Sequence, residues 1–377
     1  MTFVQEPMIE SIGDACTLLA SLEIERPFLV VDETAYEASG ARDTLEAFIE
    51  QKAASRFTEF ELNPKIKDVQ SGIEAYRRSN ADFIIALGGG TAIDLAKLIG
   101  AISGQSNTAR DIATGRASIQ VAGRPLMAIP TTAGTGSEAT HFAVVYVDGR
   151  KYSVAHPFLL PQYAVVDSVL TQSLSRSMTA TTGLDAFCQA VESLWAVAAT
   201  DESIGYASEA AKLAFEHLVA ATNAPTSEVR RAMCRASHLA GKAINITKTT
   251  APHALSYEFT SRHGVPHGIA VAYTLAAVLK FNANLTDHDC TDERGSTAVR
   301  ERIARIVEVL GVGSVEAACA SIQRLISQLD CETMMDVCRE SDHESIVDSV
   351  NFERLSNNPR RASREQLLDI LRKAASL

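Results

Sequence analysis

Phe83–Lys97 reads FIIALGGGTAIDLAK, and this stretch decides the fold. Phe83 to Leu87 is an apolar run of strand length without polar alternation, the pattern of a strand buried on both faces. Gly88, Gly89 and Gly90 then let the backbone turn tightly and approach a ligand closely. Thr91 to Lys97 continues with a helical pattern. Strand, glycine turn and helix together put free N–H groups and the positive end of a helix dipole beside the turn, which suits a pyrophosphate. The string is neither GxGxxG nor a Walker motif. A tight turn without a ligand uses the same glycines, so its neighbours must decide.

Upstream, Phe28–Val31 (FLVV) predicts a buried strand and Ala41–Ala53 an amphipathic helix. Phe57–Glu61 predicts a second strand, Asn63-Pro64 a turn, and Ile66–Ser79 a helix. Downstream, Leu126–Ile129 predicts another strand. VVYV and KYSV flank Asp148-Gly149 and predict a hairpin over Ala143–Val154. Strands alternating with helices imply a parallel sheet with helices on both faces. The texture changes between Asp167 and Ser175, and helical patterns such as Glu192–Ala221 and Glu228–Ile246 follow. The expectation is an α/β dinucleotide-binding domain over 1–175 and an all-helical metal- and substrate-binding domain over 176–377. Clefts between domains are common ligand sites.

A second loop, PTTAGTGSE at Pro130–Glu138, follows a predicted strand and is rich in small hydroxylic residues. Two such loops at strand C-termini fit the rule for ligand sites in open parallel sheets. Asp32 directly follows the first strand. A carboxylate there accepts from adenosine ribose hydroxyls and repels a 2′-phosphate, favouring NAD(H) over NADP(H); a helix N-cap is the other reading. The candidate cofactor set is Asp32, Asn63, Gly88, Gly89, Gly90, Thr91, Asp94, Thr131, Thr132, Thr135, Ser137 and Lys151.

Composition sets the bounds. Hydrophobic residues make up 46% and charged residues 21%, the balance of a globular protein. The net charge of −11 argues against nucleic acid and anionic membranes as partners. The seven cysteines contain no CxxC pair, which argues against a disulfide framework or a cysteine zinc site. The first residues resemble no secretory signal and no apolar run reaches membrane-spanning length, so a cytoplasmic protein is expected.

In the helical half, Asp185 and Gln189 stand four residues apart and share a helix face. His253 and His267 follow. Asp185, His253 and His267 form a mixed oxygen and nitrogen set suited to one divalent metal, Fe²⁺ or Zn²⁺, and Gln189 can add an amide oxygen.

These segments, taken together and in order, resemble the iron-containing alcohol dehydrogenases. GGGTAIDLAK resembles that family's GGGSxxDxAK, and IPTTAGTGSEAT its PTTxGTGSE. GLDAFCQAVES resembles GxDAxxHxxE, and HALSY…VPHGIAVA resembles HAxAH…PHGxA. The resemblance implies the dehydroquinate synthase-like fold of this family, with a divalent metal in the cleft. Its four metal positions fall on Asp185, Gln189, His253 and His267, with Gln189 replacing the usual His. Tyr257 replaces a second His and is read as a proton donor, and the resemblance implies that Lys151 stands near the nicotinamide. The strings TKTTAPHALSY and ESLWAV are similar to the branch that reduces phosphonoacetaldehyde to 2-hydroxyethylphosphonate. Lys248, Thr249, Arg262 and His263 then become the candidate substrate contacts, Lys248 and Arg262 for the phosphonate. The resemblance further implies a small aldehyde partner and a dimer or larger homo-oligomer. A general short-chain aldehyde reductase, a polyol or sugar-phosphate enzyme on the same fold, and a non-catalytic nucleotide binder are the competing readings.

Overall fold

The computed structural model of the chain describes residues 5–350 and 355–375. The chain divides into two compact units, Met1–Leu174 and Ser175–Leu377.

In the first unit the strands are β1 (Pro27–Val31), β2 (Ser55–Phe57), β3 (Phe83–Gly88), β4 (Leu126–Pro130), β5 (Phe142–Val147), β6 (Arg150–Ala155) and β7 (Tyr163–Ala164). The helices are α1 (Ile12–Ser21), α2 (Glu33–Ala38), α3 (Ala41–Gln51), α4 (Ile66–Ser79), α5 (Gly90–Ile102) and α6 (Ala109–Ala113). Five strands pair in parallel in the order β2-β1-β3-β4-β7. Every residue of β1, β3 and β4 is buried, because both sheet faces carry apolar packing. Leu29, Val31, Ile85, Leu87, Met127 and Ile129 pack on one face under α1 and α3. Phe28, Val30, Ile84, Ala86 and Ala128 pack on the other under α4 and α5.

Strand order reverses between β1 and β3, the crevice where open α/β sheets bind ligands. The register pairs Val31 with Leu87 and Gly88 with Pro130, so these strands end level with one another. Asp32, the Gly88 turn and Thr131 are therefore neighbours; the Asp32 N–H donates to Leu87 O (3.1 Å) and the Thr131 N–H to Gly88 O (3.0 Å).

The second strand differs from expectation. It covers Ser55–Phe57, not Phe57–Glu61. The apolar residues that suggested a longer strand, Phe57 and Phe60, stack on each other at 6.1 Å and pack on the sheet's apolar cluster instead. The hairpin forms as expected: β5 and β6 are antiparallel around Asp148 and Gly149, with φ of 51° and 77°.

The second unit is helical: α7 (Arg176–Trp195), α8 (Asp201–Asn223), α9 (Ser227–Thr247), α10 (Ala251–Ser261), α11 (His267–Ala283), α12 (Gly295–Val309), α13 (Val315–Ser327), α14 (Met334–Val337), α15 (His343–Asp348) and α16 (Arg364–Ala375). The helical pattern over Glu192–Ala221 is two helices, broken between Trp195 and Asp201. Thr200 caps α8 in a reciprocal capping box with Ser203, and Arg294 donates to the carbonyls of Val197 and Ala199 in the break. Helix α11 packs against α7, α10, α13 and α16 and is apolar over most of its surface, as a central helix must be. No described helix is long and apolar enough to cross a membrane.

Candidate active site

In the first unit the two glycine-bearing loops meet. Gly88 has φ 144°, and a Cβ there would lie 2.9 Å from Ala92 Cβ and 3.1 Å from Asp32 Cβ, so only glycine fits. Gly89 lies against Thr132 and Gly90 against Thr135. Gly89 is the N-cap of α5 and has no side chain to cap the helix, which leaves the first turn open to an external acceptor. The Asn63 N–H donates to Thr91 Oγ1 at 3.3 Å, drawing Asn63 to the same turn. Asp32 caps α2 through Oδ1, which accepts from the Ala35 N–H at 3.1 Å.

Asp94 and Ser137, both among the candidate cofactor residues, also belong to the network around a buried lysine. Lys97 is 1% exposed, and its ammonium donates to Ser137 Oγ (3.0 Å), Thr140 Oγ1 (2.9 Å) and Phe142 O (3.0 Å). Ser137 in turn donates to Asp94, whose second oxygen accepts from the Val144 N–H at 2.8 Å. Burial pushes Lys97 down to about 8, against the pull of Asp94 and Glu138. A buried ammonium needs every acceptor within reach, so this network anchors the hairpin to α5. Lys151 lies on β6, close enough for its charge to act on Asp94.

In the second unit Asp185, Gln189 and Glu192 lie on one face of α7 at i, i+4 and i+7, all buried. His253 comes from the first turn of α10, where Pro252 suits a helix start. His267 is the first residue of α11. One ligand atom each of Asp185, His253 and His267 lies within 4.8 Å of the others. His253 Nε2 stands 3.3 Å from Asp185 Oδ1, and the two histidine rings are 5.4 Å apart.

Glu192 organises this group, a role the sequence did not reveal. It is fully buried; Oε1 takes His253 Nδ1, and Oε2 accepts from the Thr250 N–H (2.7 Å) and Thr250 Oγ1 (2.8 Å). A neutral imidazole that donates Nδ1–H to a carboxylate keeps its Nε2 lone pair for a metal. Burial pulls His253 down, but Glu192 and Asp185 outweigh it and hold the imidazole up at about 9. Cys188, on the same helix, stays protonated because burial raises its thiol well above the usual value.

The residues fit a divalent cation. Gln189 Oε1 is buried without a hydrogen-bond partner, an expensive state for an amide oxygen unless a cation shares it. Two imidazoles, a carboxylate and an amide oxygen are a donor set for Fe²⁺ or Zn²⁺.

Gly268 brings α11 to this place. A Cβ on it would lie 1.9 Å from Thr181 O and 2.9 Å from Asp185 N, so α11 meets α7 backbone to backbone. Lys248 is exposed and caps α9 at φ 60° and ψ −171°, a region that glycine normally fills. It is held there from both sides. Thr247 Oγ1 donates to Lys248 O at 2.8 Å, and Asn357 Nδ2 donates to Thr247 O (2.7 Å) and Thr249 O (3.0 Å). Tyr257 is partly buried on α10, one turn after His253.

Arg262 and His263 have neighbours of their own. Arg262 donates to Ser345 Oγ at 2.8 Å and pairs with Glu258 at 3.6 Å, on an exposed surface. His263 lies beside Cys338 and Asp342. Helix α10 ends at Ser261, and both residues lie in the turn before α11.

The family pattern described as iron-containing alcohol dehydrogenase matches residues 8–168, and that described as Fe-containing alcohol dehydrogenase family, C-terminal, matches 179–375. The chain belongs to the iron-containing alcohol dehydrogenases. It is an oxidoreductase of the alcohol dehydrogenase and aldehyde reductase type. It is 36% identical over 301 residues to the phosphonoacetaldehyde reductase of Streptomyces viridochromogenes, covering 77% of this chain and 75% of that one. It is 33% identical to the 4-hydroxybutyrate dehydrogenase of Cupriavidus necator, over 69% of this chain and 70% of that one. The structure of the sulfoacetaldehyde reductase from Bifidobacterium kashiwanohense in complex with NAD⁺ superposes with a TM-score of 0.88 at 27% identity, covering 100% of this chain and 98% of that one.

Proposed function

We propose that this iron-containing alcohol dehydrogenase reduces a two-carbon aldehyde bearing a tetrahedral oxyanion, with phosphonoacetaldehyde as substrate and 2-hydroxyethylphosphonate as product. The observation that carries the reading is Lys248. It is an exposed cation held in a strained backbone conformation five residues before the ligand His253. Strain of this kind persists where surrounding bonds enforce it and clusters at functional sites. Relatives named for phosphonoacetaldehyde, sulfoacetaldehyde and 4-hydroxybutyrate all act on substrates with an anionic group.

The first unit is assigned the nucleotide, NAD(H) rather than NADP(H), on the loops around Gly88–Thr91 and Thr131–Thr135 and on Asp32. The second is assigned the metal, on Asp185, Gln189, His253 and His267. When bound, the metal supplies Lewis-acid polarisation of the aldehyde oxygen and the reduced nicotinamide supplies the hydride. Glu192 fixes the tautomer and orientation of His253. Tyr257 gives the proton that turns the new alkoxide into the alcohol, a task suited to a phenolic O–H donor. Lys248, flanked by Thr249, binds the phosphonate and so positions the carbonyl. Lys151 orients the cofactor.

The test is NADH oxidation with phosphonoacetaldehyde and acetaldehyde in parallel. The expected result is a kcat/KM at least tenfold higher for the phosphonate, and a loss of that preference in Lys248→Ala through KM. Equal activity on both aldehydes, or equal losses in the variant, identifies a general short-chain aldehyde reductase instead.

A further inference from the structure

Among the described residues a second group of metal-ligating side chains exists, distinct from Asp185, His253 and His267. His263 lies in the turn between α10 and α11, Cys338 is the C-cap of α14, and Asp342 ends the short 3-10 turn Glu340–Asp342 before α15. One ligand atom of each lies within 4.8 Å of the other two. His263 Nε2 is buried without a hydrogen-bond partner. Cys338 is 3% exposed, and its sulfur makes only a weak contact with Arg339 O at 3.5 Å. One Asp342 oxygen accepts from the Arg339 N–H at 2.9 Å, which leaves the other for the group.

We propose that His263, Cys338 and Asp342 form a second divalent-metal site, of zinc type. A thiolate, an imidazole and a carboxylate are the three ligand classes zinc takes, and three protein ligands leave a fourth position for water. The charge balances as well. As the sulfur–metal bond forms, the Cys338 thiol gives its proton to solvent, and thiolate plus carboxylate then neutralise a dication. Neutrality matters at a half-buried place, where an unpaired charge is costly. Burial and the Asp342 carboxylate push the Cys338 thiol up to about 11, while Arg262 pulls the other way, so the sulfur is a neutral thiol until a cation arrives. The ion would join the turn that leads into His267 to the segment between α14 and α15. Its role is a clasp on the entry to α11, and the proposal stands independently of the substrate.

Cobalt substitution tests it. The Asp185, Gln189, His253 and His267 set contains no sulfur, so a thiolate-to-cobalt charge-transfer band reads the second site alone. The full-length chain, stripped with chelator and titrated with Co²⁺, is expected to show this band. The band should survive Asp185→Asn and vanish in Cys338→Ser and His263→Ala. Zinc content by mass spectrometry should fall by one equivalent in Cys338→Ser. If Cys338→Ser does not fold, Asp342→Asn keeps the shape and should weaken cobalt binding at the band at least tenfold. No band at saturating cobalt, or a band of full strength in Cys338→Ser, overturns the proposal.

Discussion

Glu192 shows how one buried carboxylate can set the properties of a whole ligand group. It takes Nδ1 of His253 with one oxygen and two Thr250 donors with the other. Replacing it by Gln keeps the shape but removes the charge. Metal affinity should then fall by roughly 10- to 100-fold, the usual cost of losing such a support, as read by titration with a competing chelator. Folding should survive, because Gln can still accept from Thr250. The same carboxylates hold a proton on metal-free His253 until about pH 9. Metal must displace that proton, so the sign is definite: apparent affinity rises with pH up to about 9, by about tenfold per unit, and levels off above it. A flat profile between pH 6 and 8 would contradict the geometry around His253. That Asp185 and Gln189 share a helix face was legible from their spacing, whereas His253 and His267, on two different helices, were joined to them through the family resemblance. Glu192 was not legible, because an acid on an otherwise apolar helix face gives no hint of what it meets. That His263 meets Cys338 and Asp342 was not legible either, because those two residues lie some seventy-five positions on in the chain.

Elements carry the ligands, and their approach distances are set by small residues. Gly268 is the sharpest case, with a carbonyl oxygen 1.9 Å from where a Cβ would stand. Thr181 O is backbone and cannot rotate away, so Gly268→Ala must push the start of α11 off α7 and take His267 with it. The expected outcome is a loss of bound metal and a destabilisation of about 1–3 kcal/mol, typical of overpacking, measured by metal content and denaturant midpoint. Normal metal content in that variant would mean that α11 does not set the position of His267. The buried strands and the hairpin were readable because uninterrupted apolar runs and Asp-Gly turns have direct physical causes. The second strand was overextended because Phe60 is apolar for packing, not for pairing. The α7–α8 break was missed because an alanine-rich run hides a stop that depends on Arg294, some hundred residues on. β7, two residues long, has too little sequence to announce itself.

At the scale of the molecule, the division into two units predicts two separable ligand footprints. Hydrogen exchange with NADH should slow around Gly88–Asp94 and Thr131–Ser137, while exchange with metal should slow around Asp185–Glu192 and the start of α10 and α11. Protection by NADH confined to the helical unit would refute the assignment of the nucleotide. Chelation should lower the melting temperature of the chain, since a ligand at 100 times its Kd contributes about 2.7 kcal/mol. The two-unit organisation was the easiest thing to read, because the change from strand to helix periodicity spans many residues. The Lys97 network was the hardest, because a lysine on a helix is ordinarily solvated. The backbone at Lys248 bears on how this protein could be improved or spoiled. A non-glycine residue there costs about 1–3 kcal/mol, and a glycine adds only about 0.5–1 kcal/mol of unfolded-state entropy. Lys248→Gly should therefore melt higher than the parent while binding the phosphonate less well. A laboratory screen that rewarded heat tolerance alone would select this change and discard the proposed substrate preference with it.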